Sequence, residues 1–308
     1  MALNRKTLIL AAVETVPGVD EVPTATDAIV IADPNITPLA GSTVSRNNTR
    51  PFLGNNQHIH VGSHVMMDFK VEVAGSGGAV DDEPMWGRLL RGCGMPGAPN
   101  AGVSYDFTPD SDSTDTLTLY FFKDGQFHPM IGARGTFSIE IGKNQIPYFN
   151  FTFTGLWVDP SSAANPVPVY SQPTPLPVSN VNTPTVSLHA HDAVLENLTI
   201  NYGNQVVHSD RPNEEIVRIT DRATDGNISL VAPALSVKNF FTTAKANALG
   251  AMSIVHGITA TNIVSFSSSR AQILSPTYGD ANGEATLQAG MSFIPTDAGD
   301  DELLISSS

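Results

Sequence analysis

The chain has 308 residues, of which 41% are hydrophobic and 15% are charged, a composition that is typical of a folded domain and excludes a disordered chain. Sixteen Lys and Arg against 30 Asp and Glu give a formal net charge of −14. This excess of acid argues against binding nucleic acid through phosphate contacts, although the same field would let nucleic acid pass without adhering. The single cysteine, Cys93, cannot form an internal disulfide.

The N-terminal residues 1–14 contain a short apolar run that is soon followed by Glu14 and Asp20. The run is too short, and charge follows too closely, for a secretory signal peptide. No apolar stretch approaches the length of a membrane-spanning helix. We therefore expect a protein that is made in a cytoplasm and does not insert into a membrane.

The first predicted strands are residues 28–32 and 36–44, and they precede a polar segment without periodicity at residues 45–62. Loops longer than about 12–15 residues usually carry function or are disordered. We predict that residues 45–62 form a long exposed hairpin arm. Alternation then resumes at residues 64–73, which indicates a strand with one apolar face.

Two short segments, residues 84–91 and 236–245, have the spacing of amphipathic helices. We expect each helix to pack on a sheet, which makes its apolar residues part of the core rather than a cofactor site. These residues are Trp86, Leu89 and Leu90 in the first helix and Phe240 and Phe241 in the second.

Two hairpins are predicted between the first helix and residue 158. Residues 116–122 and 126–131 flank Asp124-Gly125, a strong signal for a tight hairpin turn. Residues 135–141 and 148–158 form the second pair, and phenylalanines alternate with polar residues along residues 149–154. That alternation predicts a sheet with one dry face and one wet face.

Residues 159–187 contain seven prolines. Proline removes backbone donors and prevents helix formation, so this stretch is interpreted as an extended, semi-rigid linker.

The order of elements after the linker repeats the order before it, and a fixed internal repeat decides the architecture of a chain. Each half has an arm (the second, shorter one at residues 205–219), strands, a helix and an arginine-bearing strand, with Arg134 matched to Arg270. We predict tandem β domains at residues 1–158 and 188–308, each a β unit with one flanking helix and the second shorter than the first.

No pattern for catalysis or for a cofactor is present in the sequence. His58 and His60 have a spacing that can bind zinc, but no cysteine or carboxylate completes a ligand set. The acidic runs at residues 81–83, 214–215 and 300–302 lie in polar, turn-like segments and are interpreted as solvated faces. We expect no enzyme activity, no metal and no cofactor.

Several segments resemble the major tail tube proteins of long, non-contractile-tailed bacteriophages (siphophages). They are residues 8–18, 25–29, 36–39, 50–54, 64–73, 86–94 and 132–135, and together they extend the resemblance over nearly the whole chain. The resemblance implies a small β-sandwich or barrel with one helix, whose strands join between subunits to line a tube. Such rings are typically hexamers of one domain, whereas this chain carries two copies, so the resemblance implies a trimer with pseudo-sixfold symmetry.

The resemblance also implies a structural virion protein of the phage tail, made in the host bacterial cytoplasm. Its partners would be further copies of itself, the tape-measure protein, the tail terminator and the distal tail or baseplate proteins. Duplex DNA would pass through the tube without specific binding. The alternatives are a head–tail connector or decoration protein, and a secreted β-sandwich adhesin or carbohydrate-active enzyme.

Two sets of residues are expected to serve such a tube. The predicted arm would contact the adjacent ring through Arg46, Arg50, Phe52, Leu53, Gln57, His58 and His60. The polar faces of the strands would supply lumen carboxylates, with Glu72 and Glu140 as candidates. Glu196 is a weaker candidate, because alternation places it on the apolar face of its strand.

Overall fold

A computed structural model describes Leu3 and residues 5–308, and this part of the chain is mainly β with two short α-helices. The predicted mainly β class is confirmed. The first half contains a 3-10 turn (Ala25–Asp27), helix α1 (Gly87–Gly92) and strands β1 (Thr7–Val13), β2 (Ala28–Ile29), β3 (Ala32–Ser45), β4 (His58–Glu72), β5 (Gly97–Asn100), β6 (Ser104–Phe107), β7 (Leu117–Lys123), β8 (Gln126–Gly142), β9 (Tyr148–Trp157) and β10 (Ser161–Ser162).

The second half contains helix α2 and ten further strands. The helix is α2 (Phe240–Lys245), and the strands are β11 (Thr185–Leu188), β12 (His191–Asp192), β13 (Leu195–Asn201), β14 (Asn204–Arg211), β15 (Glu214–Arg222), β16 (Asp225–Val231), β17 (Leu249–His256), β18 (Val264–Ala281), β19 (Glu284–Phe293) and β20 (Leu304–Ser307).

Antiparallel pairing gives the two halves corresponding strand orders. The first half runs β1-β7-β8-β9-β4-β3 across its sheet. The second half runs β11-β17-β18-β19-β16-β13. In each half the helix follows the fifth strand of this order along the chain, and the two orders correspond strand for strand.

A shared irregularity fixes which residues correspond. Between β7 and β8 the register shifts at Ala133, and between β17 and β18 it shifts in the same way at Ala271. Counting from these bulges places Arg134 at the position of Gln272. The predicted match of Arg134 with Arg270 is therefore wrong by two residues, because a bulge leaves no mark in the apolar pattern.

The central strand of the first half is longer than predicted, and that of the second half is also long. β8 is one continuous strand where two were expected, and it passes through a bulge at which Gly132 has a φ of 58°. β18 is likewise continuous across the shift near Ser275, where φ is 43°. Each bulge bends a strand without ending it, so each central strand can pair with different neighbours at its two ends.

A single apolar core joins the two halves. The buried cluster contains residues from β1 to β20, and the rings of Phe149 and Phe266 lie 6.0 Å apart across the boundary between the halves. The last strand, β20, pairs with β18 and also with β6 of the first half. The two halves therefore form one continuous body.

The two helices lie against this core. Trp86, immediately before α1, packs on Phe149 and donates from its indole nitrogen to the Ala74 carbonyl at 2.7 Å. Trp86, Leu89, Leu90 and Phe240 are at most 1% exposed, whereas Phe241 is half-buried against Tyr278. α2 begins later than predicted, since the Asn239 side chain accepts from the Thr242 amide and caps the helix there.

The proline-rich segment makes hydrogen bonds to both halves of the chain. The Val169 amide donates to the Ala25 carbonyl at 2.9 Å, and the His256 ring nitrogen lies 3.0 Å from the Leu176 carbonyl. Val178 is buried. β11 begins inside the predicted linker, so the segment packs on both halves as it passes between them.

An ion cluster holds the C-terminal segment in place. The Arg222 guanidinium donates to Asp300 and to Glu302, each at 2.6 Å, and lies over the Tyr202 ring. Glu302 is only 5% exposed. Burial by itself would raise the pKa of the Asp300 carboxyl. Hydrogen bonds from Ser111 and Arg222 outweigh it and hold that pKa below its ordinary value.

Candidate assembly surfaces

A polar face extends across both halves of the sheet. One row of directly paired residues contains Lys70, Asn150, Ser138, Asn201, Asp225, Ser292 and Gln272. The intervening residues of the same strands point into the core, as strand alternation requires. The result is a broad sheet with one polar face and one apolar face that is buried in the core.

Two of the three predicted lumen carboxylates lie in one row of this polar face. Glu72 of β4 and Glu140 of β8 are both directly opposite Tyr148, so they lie on either side of β9. Glu140 is exposed and Glu72 is half-buried. Burial, together with the neighbouring Glu72 carboxylate, raises the pKa of Tyr148, which therefore presents a neutral hydroxyl between the two acids.

The lysines near this face are compensated. Lys70 lies 3.4 Å from the Asp33 carboxylate, and Lys143 lies 2.7 Å from Glu196. Glu196 sits at the bulge of β13, between Leu195 and Asn197, and its charge is neutralised by this contact. Unlike Glu72 and Glu140, it adds no uncompensated charge to the face.

The two halves are joined edge to edge by β8 and β13. Residues 138–142 of β8 pair antiparallel with residues 197–201 of β13. The core-facing residues of this junction are fully buried, with Ile139, Leu198 and Ile200 all 0% exposed. Just beyond it, Tyr202 stacks on Phe137 with ring centroids 4.6 Å apart.

Both ends of this long sheet present an edge. Among the strands that the structure describes, β3 pairs with β4 alone. β18 pairs with β17 as far as Gln272, and beyond that point its described partner is β19 on the opposite edge. An exposed edge carries backbone groups that can pair with another strand.

The predicted arm is the end of the β3–β4 hairpin. Its strands stay paired out to Ser45 and His58, and all seven residues predicted for ring contact are exposed. Leu53 is 102% exposed and Phe52 is 65% exposed, with the Arg50 guanidinium 5.9 Å from the Phe52 ring. Two adjacent apolar side chains this exposed make the end of the arm a candidate contact surface.

The corresponding hairpin of the second half, β14–β15, packs instead on the first half. The His208 ring stacks on His64 with centroids 4.8 Å apart. At its base, the Asn204 amide group donates to the carbonyls of Cys93 and Gly135, at 2.6 and 2.9 Å. One arm is therefore docked and the other exposed.

Within the residues that the structure describes, no group of three or more His, Cys, Asp or Glu residues is placed to hold a metal ion. None of the described helices is both long and apolar enough to cross a membrane. A cleft of about 650 Å³ lies beside the β8–β13 junction and has Lys143 and Asp192 as its charged lining residues.

The β8–β13 junction was not predicted from the sequence. The alternation of Leu198 and Ile200 is typical of a strand, but no local signal indicates which edge that strand joins. The compensation of Glu196 was also missed, because its partner Lys143 lies 53 residues away in sequence.

Comparison with known proteins gives the chain its family. No curated protein matches it significantly. A family model described as phage tail tube protein matches residues 4–297, which is nearly the whole chain. The chain therefore belongs to the phage tail tube protein family.

Proposed function

We propose that this chain polymerises into stacked rings that form the tail tube of a siphophage, the conduit through which DNA leaves the particle. The observation that carries the proposal is the continuous sheet, polar on one side and dry on the other, with a free edge at each end. Such a sheet can close around a water-filled channel when copies join at their edges. Family membership supports the structural role in the virion tail.

The ring is proposed to be a homotrimer with pseudo-sixfold symmetry. The matched strand orders of the two halves support a duplicated tube domain, so three chains would supply the six units of a single-domain ring. Rings that stack head to tail use a heterologous interface, which generates an open filament. The tape-measure protein, the terminator and the distal tail proteins would be its further partners.

The polar face is proposed to line the channel, with Glu72 and Glu140 as channel carboxylates. Two cations beside it, Lys70 and Lys143, are paired with carboxylates. A net negative wall would repel DNA phosphates and avoid a brake at each ring. Glu196 is not proposed as a channel charge.

Electron microscopy and native mass spectrometry of the purified chain test this function. We expect hollow tubes by microscopy and a released ring with the mass of three chains. Lone monomers under all assembly conditions would contradict the tube, and a hexameric mass would contradict the trimer. Micromolar, salt-sensitive binding of DNA by isolated rings would contradict the negative channel.

A further inference from the structure

We propose that residues 277–281 of β18 pair antiparallel with residues 33–37 of β3 in a second copy of the chain, with Tyr278 opposite Ile36. The inference rests on the proposed ring assembly and supplies its lateral contact and register. The partner is a second copy because the chain already contains the same junction internally, between β8 and β13.

The internal junction identifies the corresponding positions. Counting from the equivalent bulges at Ala133 and Ala271 across the paired strands, Ile36 corresponds to Ile200. Tyr278 corresponds to Ile139 when the count runs through β9 and β19, because β18 has one extra residue at the shift near Ser275. Because Ile139 is directly opposite Ile200 within the chain, the matching contact between copies places Tyr278 opposite Ile36.

Burial differs between these corresponding positions in the way that a missing neighbour would produce. Ile139 and Ile200 are 0% exposed. Their counterparts are not covered: Tyr278 is 61% exposed and Ile36 is half-buried. Leu39, on β3, is 52% exposed and adds apolar surface to the same edge. A second copy joined at this edge would cover these side chains as β13 covers β8.

The direction of one hydrogen bond shows which backbone groups of β3 face outward. The Tyr202 amide donates to the Phe137 carbonyl at 3.0 Å, so the backbone of Phe137 faces β13. Backbone groups alternate between the two edges of a strand. Carrying this alternation through β9 and β4 places the N–H and C=O of Ile36 on the free edge of β3.

Two prolines leave Ile36 as the backbone donor on the first part of this edge. Pro34 and Pro38 have no N–H, and Asn35 and Thr37 face β4. Ile36 is thus the backbone donor between residues 34 and 38. Prolines on an edge strand suppress unregulated pairing, and here they leave a single donor on which an incoming strand must centre.

The side chains then select Tyr278 as the residue opposite Ile36. A slip of two residues in one direction would place Asp280 there and press a carboxylate against the apolar side of β3. A slip in the other direction would place Pro276 there, which has no N–H to return the bond. With Tyr278 opposite Ile36, both residues can donate and accept, as an antiparallel hydrogen-bonded pair requires.

Disulfide cross-linking in the full chain tests the register. Thr37 and Thr277 would form a directly opposed, non-hydrogen-bonded pair on the polar face, with about 4.5 Å between Cα atoms, within disulfide reach. The test variant is Thr37→Cys with Thr277→Cys. The native Cys93 is buried and does not compete.

Two matched controls report slips of two residues in either direction. They are Asn35→Cys with Thr277→Cys, and Asn35→Cys with Ala281→Cys, whose cysteines are diagonal neighbours in the proposed register. We expect the test pair to cross-link at least about fivefold more efficiently than either control. On a non-reducing gel the ladder of cross-linked chains should end at the ring size.

Each result decides something different about contact and function. A control pair that cross-links as well as the test pair would overturn the register. Tubes in which no pair cross-links would overturn the strand contact and leave the proposed function intact. The expected cross-links without tubes would support the contact and contradict the function, and the absence of both would overturn both.

Discussion

The two halves of the chain have corresponding strand orders but different neighbours. In the first half, β13 covers the outer end of β8. The core beneath it is filled by Phe137 of β8 and by Phe149 and Phe153 of β9. In the second half, the outer end of β18 faces solvent in the single chain, and Leu287 and Met291 occupy the positions of Phe149 and Phe153. Burial at corresponding sites therefore depends on the adjacent strand, and side-chain volume at these sites differs between the halves.

The largest contrast is expected between Ile200→Ala and Ile36→Ala. Ile200 is fully buried, so truncation should leave a cavity and cost about 3–4 kcal/mol of unfolding free energy. Ile36 is half-buried on an edge, so its truncation should cost about 1 kcal/mol or less. Urea denaturation of both single chains measures the difference. Equal losses would show that Ile36 is already covered in the free chain.

The ion cluster at Arg222 has an exposed counterpart that serves as a control. Arg222→Met would leave the Glu302 carboxylate buried without a partner, at an expected cost of about 3 kcal/mol. Arg218→Met removes an exposed pair with Glu214 and should cost less than about 1 kcal/mol. Thermal denaturation compares them, and a similar small loss in both would contradict the role of Arg222 in holding the C-terminal segment.

The two arms should differ in mobility and in their effect on assembly. Amides of residues 47–57 are expected to exchange with deuterium at least about tenfold faster than those of residues 204–211, which pack on the first half. Deleting residues 47–57 should leave a folded chain whose stability changes by about 1 kcal/mol or less. Electron microscopy should then show no long tubes; normal tubes would refute the contact to the adjacent ring.

The smallest expected effect is a loss of stability in acid that depends on Asp300. Because the folded-state pKa of this carboxyl is lowered from 3.8, its contribution is present above that pH and is lost as the pH falls through the folded-state value. Ser111→Ala removes one of the hydrogen bonds that lower the pKa. The variant should therefore show a weaker pH dependence below about pH 4, measured by denaturation at a series of pH values.

Local features of the fold could be predicted from the sequence because local chemistry determines them. The Asp124-Gly125 turn joins β7 and β8 with Lys123 opposite Gln126. Asp124 and Gly125 both adopt the positive φ that a tight hairpin turn needs. The alternation along residues 149–153 likewise gave the correct dry face of β9. The bulges at Ala133 and Ala271 could not be predicted, because they shift register without disturbing composition.

The candidate surfaces were predictable only in part. The exposure of the first arm follows from its polar, aperiodic sequence. The neutralisation of Glu196 and the joining of β13 to β8 are contacts between distant segments, which a single sequence does not specify. Val237 illustrates the same limit: its helical spacing with Phe240 is typical of core packing, yet it precedes α2 and is 70% exposed.

The internal β8–β13 junction has a kinetic consequence. Because both strands belong to one chain, this contact forms at an effective concentration set by the intervening polypeptide, independently of how much protein the cell contains. Contacts at the free edges of β3 and β18 form only by collision between chains, at a rate that rises with their concentration. Dilution would therefore dissociate contacts between copies of the chain in an assembly. The β8–β13 contact within each chain would persist until that chain unfolds.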